Sequence, residues 1–332
     1  DRCRNLRAGN SGQHAKKVVR RLAKPASKLY QPGERWKCIR RDKILYLMLI
    51  IPLVQIFIFR YLPIGGLYMS FVNYNFSKGI FGSDFVGLKW FNQLFASRNF
   101  IKLLRNNLLL SLYSVLFFFP MPILLALGLN EIKCKPFMRA AQTITYMPYF
   151  VSTVVVVSML TLLLSPSSGI VNMILNALGI KSIYFMGDQR WFRTVYIISE
   201  IWQNSGWTAI IYLSAIVGIE MELYEAAQID GASRLQRIWH ITIPCILPTI
   251  LIMLLLKIGQ FMEVGYEKVL LMYNPQTMEV ADIFDTYVYR QGIVNMNYSS
   301  STAVGLFKAL ISFVLVVSAN TLSKKVAQVS LW

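Results

Sequence analysis

Long apolar runs alternate along the chain with short polar and charged stretches. Six of the runs approach the roughly 20 residues that a helix needs to cross a hydrocarbon core. They cover residues 44–62, 107–129, 141–164, 192–217, 244–262 and 303–322. Several contain proline, at Pro52, Pro120, Pro122 and Pro148, which a membrane helix accommodates when neighbours re-satisfy the freed backbone groups. The pattern predicts an all-α integral membrane protein with six transmembrane helices.

Composition narrows the class. The 332 residues are 55% hydrophobic and 15% charged, against about 45–50% and about 25% for soluble domains. With a mean hydropathy of +0.48, a soluble globule is excluded. A formal net charge of +18 would raise the question of nucleic acid on a soluble protein, but here the charge is segregated. Residues 1–43 carry 14 basic side chains against Asp1, Glu34 and Asp42. This head contains only Tyr30 and Trp36 as aromatics. It reads as a basic cytoplasmic segment touching anionic lipid, with an RNA-binding role as the alternative and no nucleic-acid partner expected. The transmembrane domain then occupies 44–332. With the N-terminus inside, segments 1–43, 130–140, 218–243 and 323–332 hold 21 of the 34 basic residues, so both termini are expected in the cytoplasm. The outer loop 63–106 departs from this bias, with Lys78, Lys89, Arg98, Lys102 and Arg105. The chain starts at Asp1, so an upstream piece is expected to be missing. The first apolar run is too long for a signal-peptide core, and that span is expected to be retained.

Soluble chemistry finds no foothold. Cys3, Cys38, Cys134 and Cys245 are scattered, with neither metal-site nor disulfide-framework spacing, and read as free thiols. The two histidines, His14 and His240, offer no zinc motif or triad, and no phosphate-binding glycine loop occurs. The chain is therefore expected to hold no metal or cofactor and not to hydrolyse ATP itself.

The inner segment 218–243 is unlike an ordinary connection. A helix through Leu223 to Ile229 is expected to stop at Gly231, with Asp230 accepting from the next backbone N–H groups to start a second helix. Ala226, Ala227 and Ala232 keep one surface low, while Leu235, Ile238 and Trp239 supply an apolar face at helical spacing. An amphipathic helix covering lipid headgroups is the alternative reading. The set Glu225-Ala226-Ala227, Asp230-Gly231-Ala232, Pro244 and Pro248 resembles the EAA loop of permease subunits of binding-protein-dependent, type I ABC importers. Gly87-Leu88-Lys89-Trp90-Phe91 and Asn106-Asn107 resemble the carbohydrate-uptake branch, and within it the permeases handling oligo- and polysaccharides, alginate importers among them. The similarity runs over roughly residues 44–325.

The resemblance implies a bacterial inner-membrane complex of two permeases, two cytosolic ATPases that bind ATP and Mg, and an external solute-binding protein. In such a complex Glu225, Ala226, Ala227, Asp230, Gly231 and Ala232 form a coupling helix seated in a groove of the ATPase. Transport then follows from a two-state pathway biased by ATP.

Polar side chains inside spans face a cavity or a partner. Glu200, Gln203, Asn204, Trp207 and Ile211 fall on one helical face, and Met253, Lys257, Gln260, Phe261 and Val264 repeat that arrangement. In related sugar permeases these helices line the pathway. Amides at Gln203, Asn204 and Gln260 with aromatic plates at Trp207 and Phe261 suit a saccharide, while hydrogen bonding between helices is the alternative. Lys257 needs water, a carboxylate or an anionic ligand, with Glu200 or Glu263 as candidate partners. Facing the pathway, it suits an acidic sugar. An ion-coupled secondary transporter is the runner-up function, but it would more often show inverted halves and discontinuous helices.

Overall fold

The computed structural model describes residues 43–327; the basic head, Lys43 apart, lies outside them. The first of two compact units ends at Gly66. It holds helix α1, Lys43–Ile56, and a π-helical turn, Phe57–Tyr61. None of α1 is buried within the chain, so an apolar helix of this kind depends on lipid or a partner for its cover.

The second unit, Leu67–Trp332, is entered through the 3₁₀ segment Leu62–Phe71. Strands β1, Val72–Asn75, and β2, Ser83–Phe85, form an antiparallel hairpin with Val72 opposite Phe85. Helices α2, Lys89–Ala96, α3, Arg98–Tyr113, and α4, Pro120–Asn130, follow. Next come α5, Lys135–Tyr146, α6, Thr153–Leu163, α7, Ile170–Ala177, and α8, Gln189–Val217. The remainder is α9, Met221–Ile229, α10, Arg234–Arg237, α11, Ile243–Gly259, α12, Tyr266–Met272, α13, Met278–Ala281, α14, Phe284–Tyr289, and α15, Tyr298–Ala327.

Among the described residues four helical stretches are long and apolar enough to cross a membrane: Lys43–Phe71, Arg98–Asn130, Arg234–Gly259 and Tyr298–Lys325. Two bent pairs bring the number to six if each counts as one span. In the first pair α5 and α6 meet at 102°. The 3₁₀ turn Met147–Phe150 carries Pro148, Val151 and Ser152 are extended, and the Ser152 hydroxyl caps α6. The other pair, α8 with α9, bends by 71°.

The predicted spans need correction at several points, the first running on to Phe71 and the sixth beginning at Tyr298. The second starts at Arg98 because the amphipathic stretch 98–106, with Arg98, Lys102 and Arg105 among Phe100, Ile101, Leu103 and Leu104, is helical as well. The fifth starts at Arg234 and ends at Gly259 rather than 262. The third is broken rather than continuous.

Three of the π turns share one cause. Phe57–Tyr61, Ser114–Phe118 and Ile238–Thr242 each end two residues before a proline, namely Pro63, Pro120 and Pro244. Proline offers no N–H to the carbonyl four residues back and crowds it, and a widened turn lets the helix continue. Thus Phe119 N–H reaches back to Ser114 O at 3.1 Å.

The core is organised on α8. Phe192, Tyr196, Ser199, Gln203, Gly206, Tyr212 and Ile216 form its buried stripe. At Gly206 the α5 backbone approaches so closely that a Cβ would overlap the Thr145 carbonyl oxygen, which leaves glycine as the residue that fits. Two buried asparagines brace α3. Asn106 donates to the carbonyls of Glu279 and Asp282 at 2.9 and 3.1 Å, and Asn107 to that of Met262 at 3.2 Å.

Candidate functional site

Two regions gather most of the residues singled out by the sequence, with Gln203, Asn204 and Trp207 outside both. The first is an elbow between α8 and α11. Helix α9 ends at Asp230, and Gly231 adopts φ +77°. Gly231 N–H then bonds Gln228 O at 3.2 Å while Ala232 N–H bonds Ala227 O at 2.9 Å. This is the Schellman closure, which needs a left-handed residue at the glycine position.

The next helix is capped by Ser233 rather than by Asp230. Gln236 N–H donates to Ser233 Oγ at 3.4 Å, and Ser233 N–H donates to Gln236 Oε1 at 2.7 Å, a reciprocal capping box. Asp230 instead terminates α9, because the turn at Gly231 takes up the residues between the helices. Tyr224 and Thr242 hydroxyls, 2.9 Å apart, tie α9 to the start of the next span.

Glu225, Ala226, Asp230 and Gly231 are exposed and Ala227 and Ala232 half-buried. Around this low floor stand Leu223, Ile229, Leu235 and Trp239, all exposed. The expected face of Leu235, Ile238 and Trp239 is divided, since Ile238 turns into the cluster built on Tyr212 and Ile246. What remains outside is a short, partly apolar knuckle without side-chain bulk at its centre.

The second region is a charged cleft of about 30 Å³ lined by Ser114, Glu200, Lys257, Gln260, Phe261 and Glu263 among others. Lys257 Nζ lies 3.2 Å from Glu200 Oε1 and 4.9 Å from the centre of the Phe118 ring. The same carboxylate oxygen accepts from Ser114 Oγ at 2.9 Å, while Oε2 is buried with no protein partner. Of the two carboxylates considered for Lys257, it is Glu200 that pairs, while Glu263 is exposed on the cleft. Lys257, Gln260, Phe261 and Val264 reach this cleft together, though not along one helical face. Helix α11 stops at Gly259, and the turn after it carries Gln260 and Phe261. Ser111 Oγ donates to the Phe261 carbonyl, and Phe261 packs against the cluster that holds Leu103 and Phe284.

Helix α8 does hold Glu200, Gln203, Asn204, Trp207 and Ile211 on one continuous helix, but their surroundings differ. Gln203 is buried and engaged at both ends of its amide, with Nε2 donating to Val151 O at 3.1 Å and Oε1 accepting from Lys268 Nζ at 3.3 Å. Asn204 is half-buried. Trp207 is 43% exposed and stacks on Tyr149, with ring centres 4.7 Å apart and planes within 5°, while Phe150 meets it edge-on at 5.6 Å. Tyr149, Phe150 and Trp207 form an open aromatic platform of the kind that takes the C–H face of a sugar ring.

Sequence reasoning missed Lys268, Tyr149 and Phe150. Lys268 is 6% exposed, with its Nζ 5.8 Å from the Tyr196 ring centre. Burial pushes its ammonium down to about 8, against the opposing pull of the Glu200 charge. It follows the fifth span in an ordinary-looking connection, where no hydropathy signal marks a lysine as buried. Among the described residues no group of histidine, cysteine or acidic side chains has the makings of a metal site.

Comparison with known proteins agrees with these features. Residues 118–328 match the family described as the inner membrane component of binding-protein-dependent transport systems. The polygalacturonan/rhamnogalacturonan transport system permease protein YteP of Bacillus subtilis is 45% identical over 86% of this chain and 89% of its own length. Protein LplB of the same organism is 43% identical over 90% and 95%. A crystal structure of a bacterial ABC transporter involved in import of the acidic polysaccharide alginate contains a chain of 43% identity, superposing with a TM-score of 0.82 over 88% of this chain and 99% of that one. A second crystal structure, of an alginate transporter with a periplasmic protein bound to alginate pentasaccharide, gives 0.82 over 89% and 99%. By its matched family, its helical architecture and its close relatives, this membrane-spanning chain belongs to the inner membrane components of binding-protein-dependent transport systems.

Proposed function

We propose that this chain is one permease subunit of an ATP-driven importer of an acidic oligo- or polysaccharide. It supplies half of the translocation pathway and receives the stroke of two ATPase subunits through the elbow at 221–237. The observation that carries the reading is the build of that elbow. It is an exposed knuckle closed by a Schellman turn and a capping box, with small side chains where another backbone must approach. In this assembly Glu225, Ala226, Ala227, Asp230, Gly231 and Ala232 contact the ATPase, which is where ATP and Mg are held.

Both termini and the elbow lie on the cytoplasmic side, and a solute-binding protein docks on the opposite face. The second permease is a homologous chain. Acidic substrate is supported by the polygalacturonan and alginate relatives and by the Lys257 ammonium on the cleft, which Glu200 pairs at 3.2 Å. Saccharide is supported by the Tyr149, Phe150 and Trp207 platform.

The test is reconstitution of the copurified complex in proteoliposomes, with uptake measured for oligouronides and for neutral oligosaccharides of the same length. Uronide uptake that depends on ATP and on the binding protein is expected, reduced at least about tenfold in Trp207→Ala by loss of stacking. Uptake driven by an ion gradient without ATP would replace this reading with the secondary transporter.

A further inference from the structure

Away from the charged cleft, α3 and the first turns of α8 leave another opening, of about 400 Å³. Tyr113 and Phe117 wall one side and Ile197, Ile198 and Ile201 the other, and Arg193 is the single charged residue that lines it. Arg193 Nη2 donates to Asn106 Oδ1 at 3.0 Å, and its Nε is buried with no partner. No carboxylate is within ion-pair distance of it among the described residues. The charged neighbour that acts on it is Arg105, of the same sign. A half-buried guanidinium in an apolar setting thus stands within the field of a second cation and without a paired anion.

The position is equally specific. Arg193 lies 24 residues before the end of α8, about 36 Å along the helix at 1.5 Å per residue. The hydrocarbon core is about 30 Å thick, so Arg193 stands at headgroup depth on the side opposite the elbow.

We propose that this opening binds an anionic glycerophospholipid, its phosphate on Arg193 with Arg105 nearby and one acyl chain between Phe117 and the isoleucines. Guanidinium and phosphate match as a bidentate pair, and the apolar walls are filled by the chain. A saccharide would find few hydrogen-bond partners on those walls. A zwitterionic lipid would leave the positive charge uncompensated.

The test uses the intact transporter complex in nanodiscs of equimolar phosphatidylglycerol and phosphatidylcholine, with lipid retained after detergent extraction read by native mass spectrometry. About tenfold enrichment of phosphatidylglycerol is expected, falling to parity in Arg193→Gln. Ile198→Trp, a change at an exposed position that fills the opening, should release the lipid while Arg193 remains. Equal retention of both lipids by the unaltered protein overturns the proposal, as does undiminished enrichment in Ile198→Trp. Displacement by Ile198→Trp of a bound oligosaccharide in place of lipid does so as well. If Arg193→Gln fails to assemble, the Ile198→Trp result decides alone.

Discussion

Removing Lys257 should expose how much the half-buried pair with Glu200 holds. At 3.2 Å and an effective dielectric near 20 the gross attraction is about 5 kcal/mol. Lys257 keeps 28% of its side chain exposed, so residual hydration offsets part of that, and Lys268 remains as a second cation near Glu200. A net loss of about 2–3 kcal/mol in Lys257→Met follows, below the 3–5 typical of a fully buried pair broken on one side. For a chain of this size that corresponds to a fall of roughly 3–5 °C in melting temperature. Adding Glu200→Gln removes the orphaned carboxylate while leaving an oxygen to accept from Ser114, and should restore about half or more of the loss. The assay is thermal unfolding of purified single and double variants in nanodiscs, alongside oligouronide uptake. An unchanged melting temperature in Lys257→Met would show that the pair carries no stability. If uptake nevertheless falls, the lysine serves substrate instead. No relief in the double variant would refute the coupling between the two side chains.

Three further outcomes are expected. Gly231→Pro cannot adopt φ +77° and loses the N–H that bonds Gln228, and Ala227→Trp raises the floor of the elbow. Either should abolish copurification of the ATPase or its substrate-stimulated hydrolysis, with membrane insertion intact, and normal values of both measurements would remove the elbow from coupling. In a cysteine-free background, a single cysteine at position 230 should react with a membrane-impermeant maleimide from the cytoplasmic face alone, and labelling from the outside would invert the topology. Lys268, depressed to about 8 in the folded protein against about 10.4 when unfolded, binds fewer protons folded than unfolded between those values. Its unfavourable burial is therefore fully present below pH 8 and relieved as pH rises toward 10. Melting temperature should climb over that window in the unaltered protein and less steeply in Lys268→Met, and identical slopes would contradict a buried, charged Lys268.

The apolar runs by themselves determined the helical membrane class and the approximate place of each span. Run length against bilayer thickness and the cost of unpaired backbone in lipid leave helices as the outcome. The elbow was also legible, because its chemistry is local: Gly231 can take a left-handed turn, and small residues flank it. Even there the cap moved from Asp230 to Ser233, since a Schellman turn consumes two residues that a simple cap does not.

Hydropathy could not show which polar groups meet. Periodicity placed Lys257 and Gln260 on one helix, but α11 ends at Gly259, and a turn brings Gln260 and Phe261 to the same cleft. Gln203 reads as a free amide in sequence, yet Val151 and a lysine 65 residues later engage it. Lys268 and the Tyr149 platform depend on contacts between segments far apart in the chain. Such partners are set by how α8 packs against α5, where Gly206 lets the backbones touch, and by the bend at Val151 and Ser152. Only the tertiary structure decides those, because a side chain's neighbours across a helix interface follow from the angle and depth of packing, which no single segment encodes.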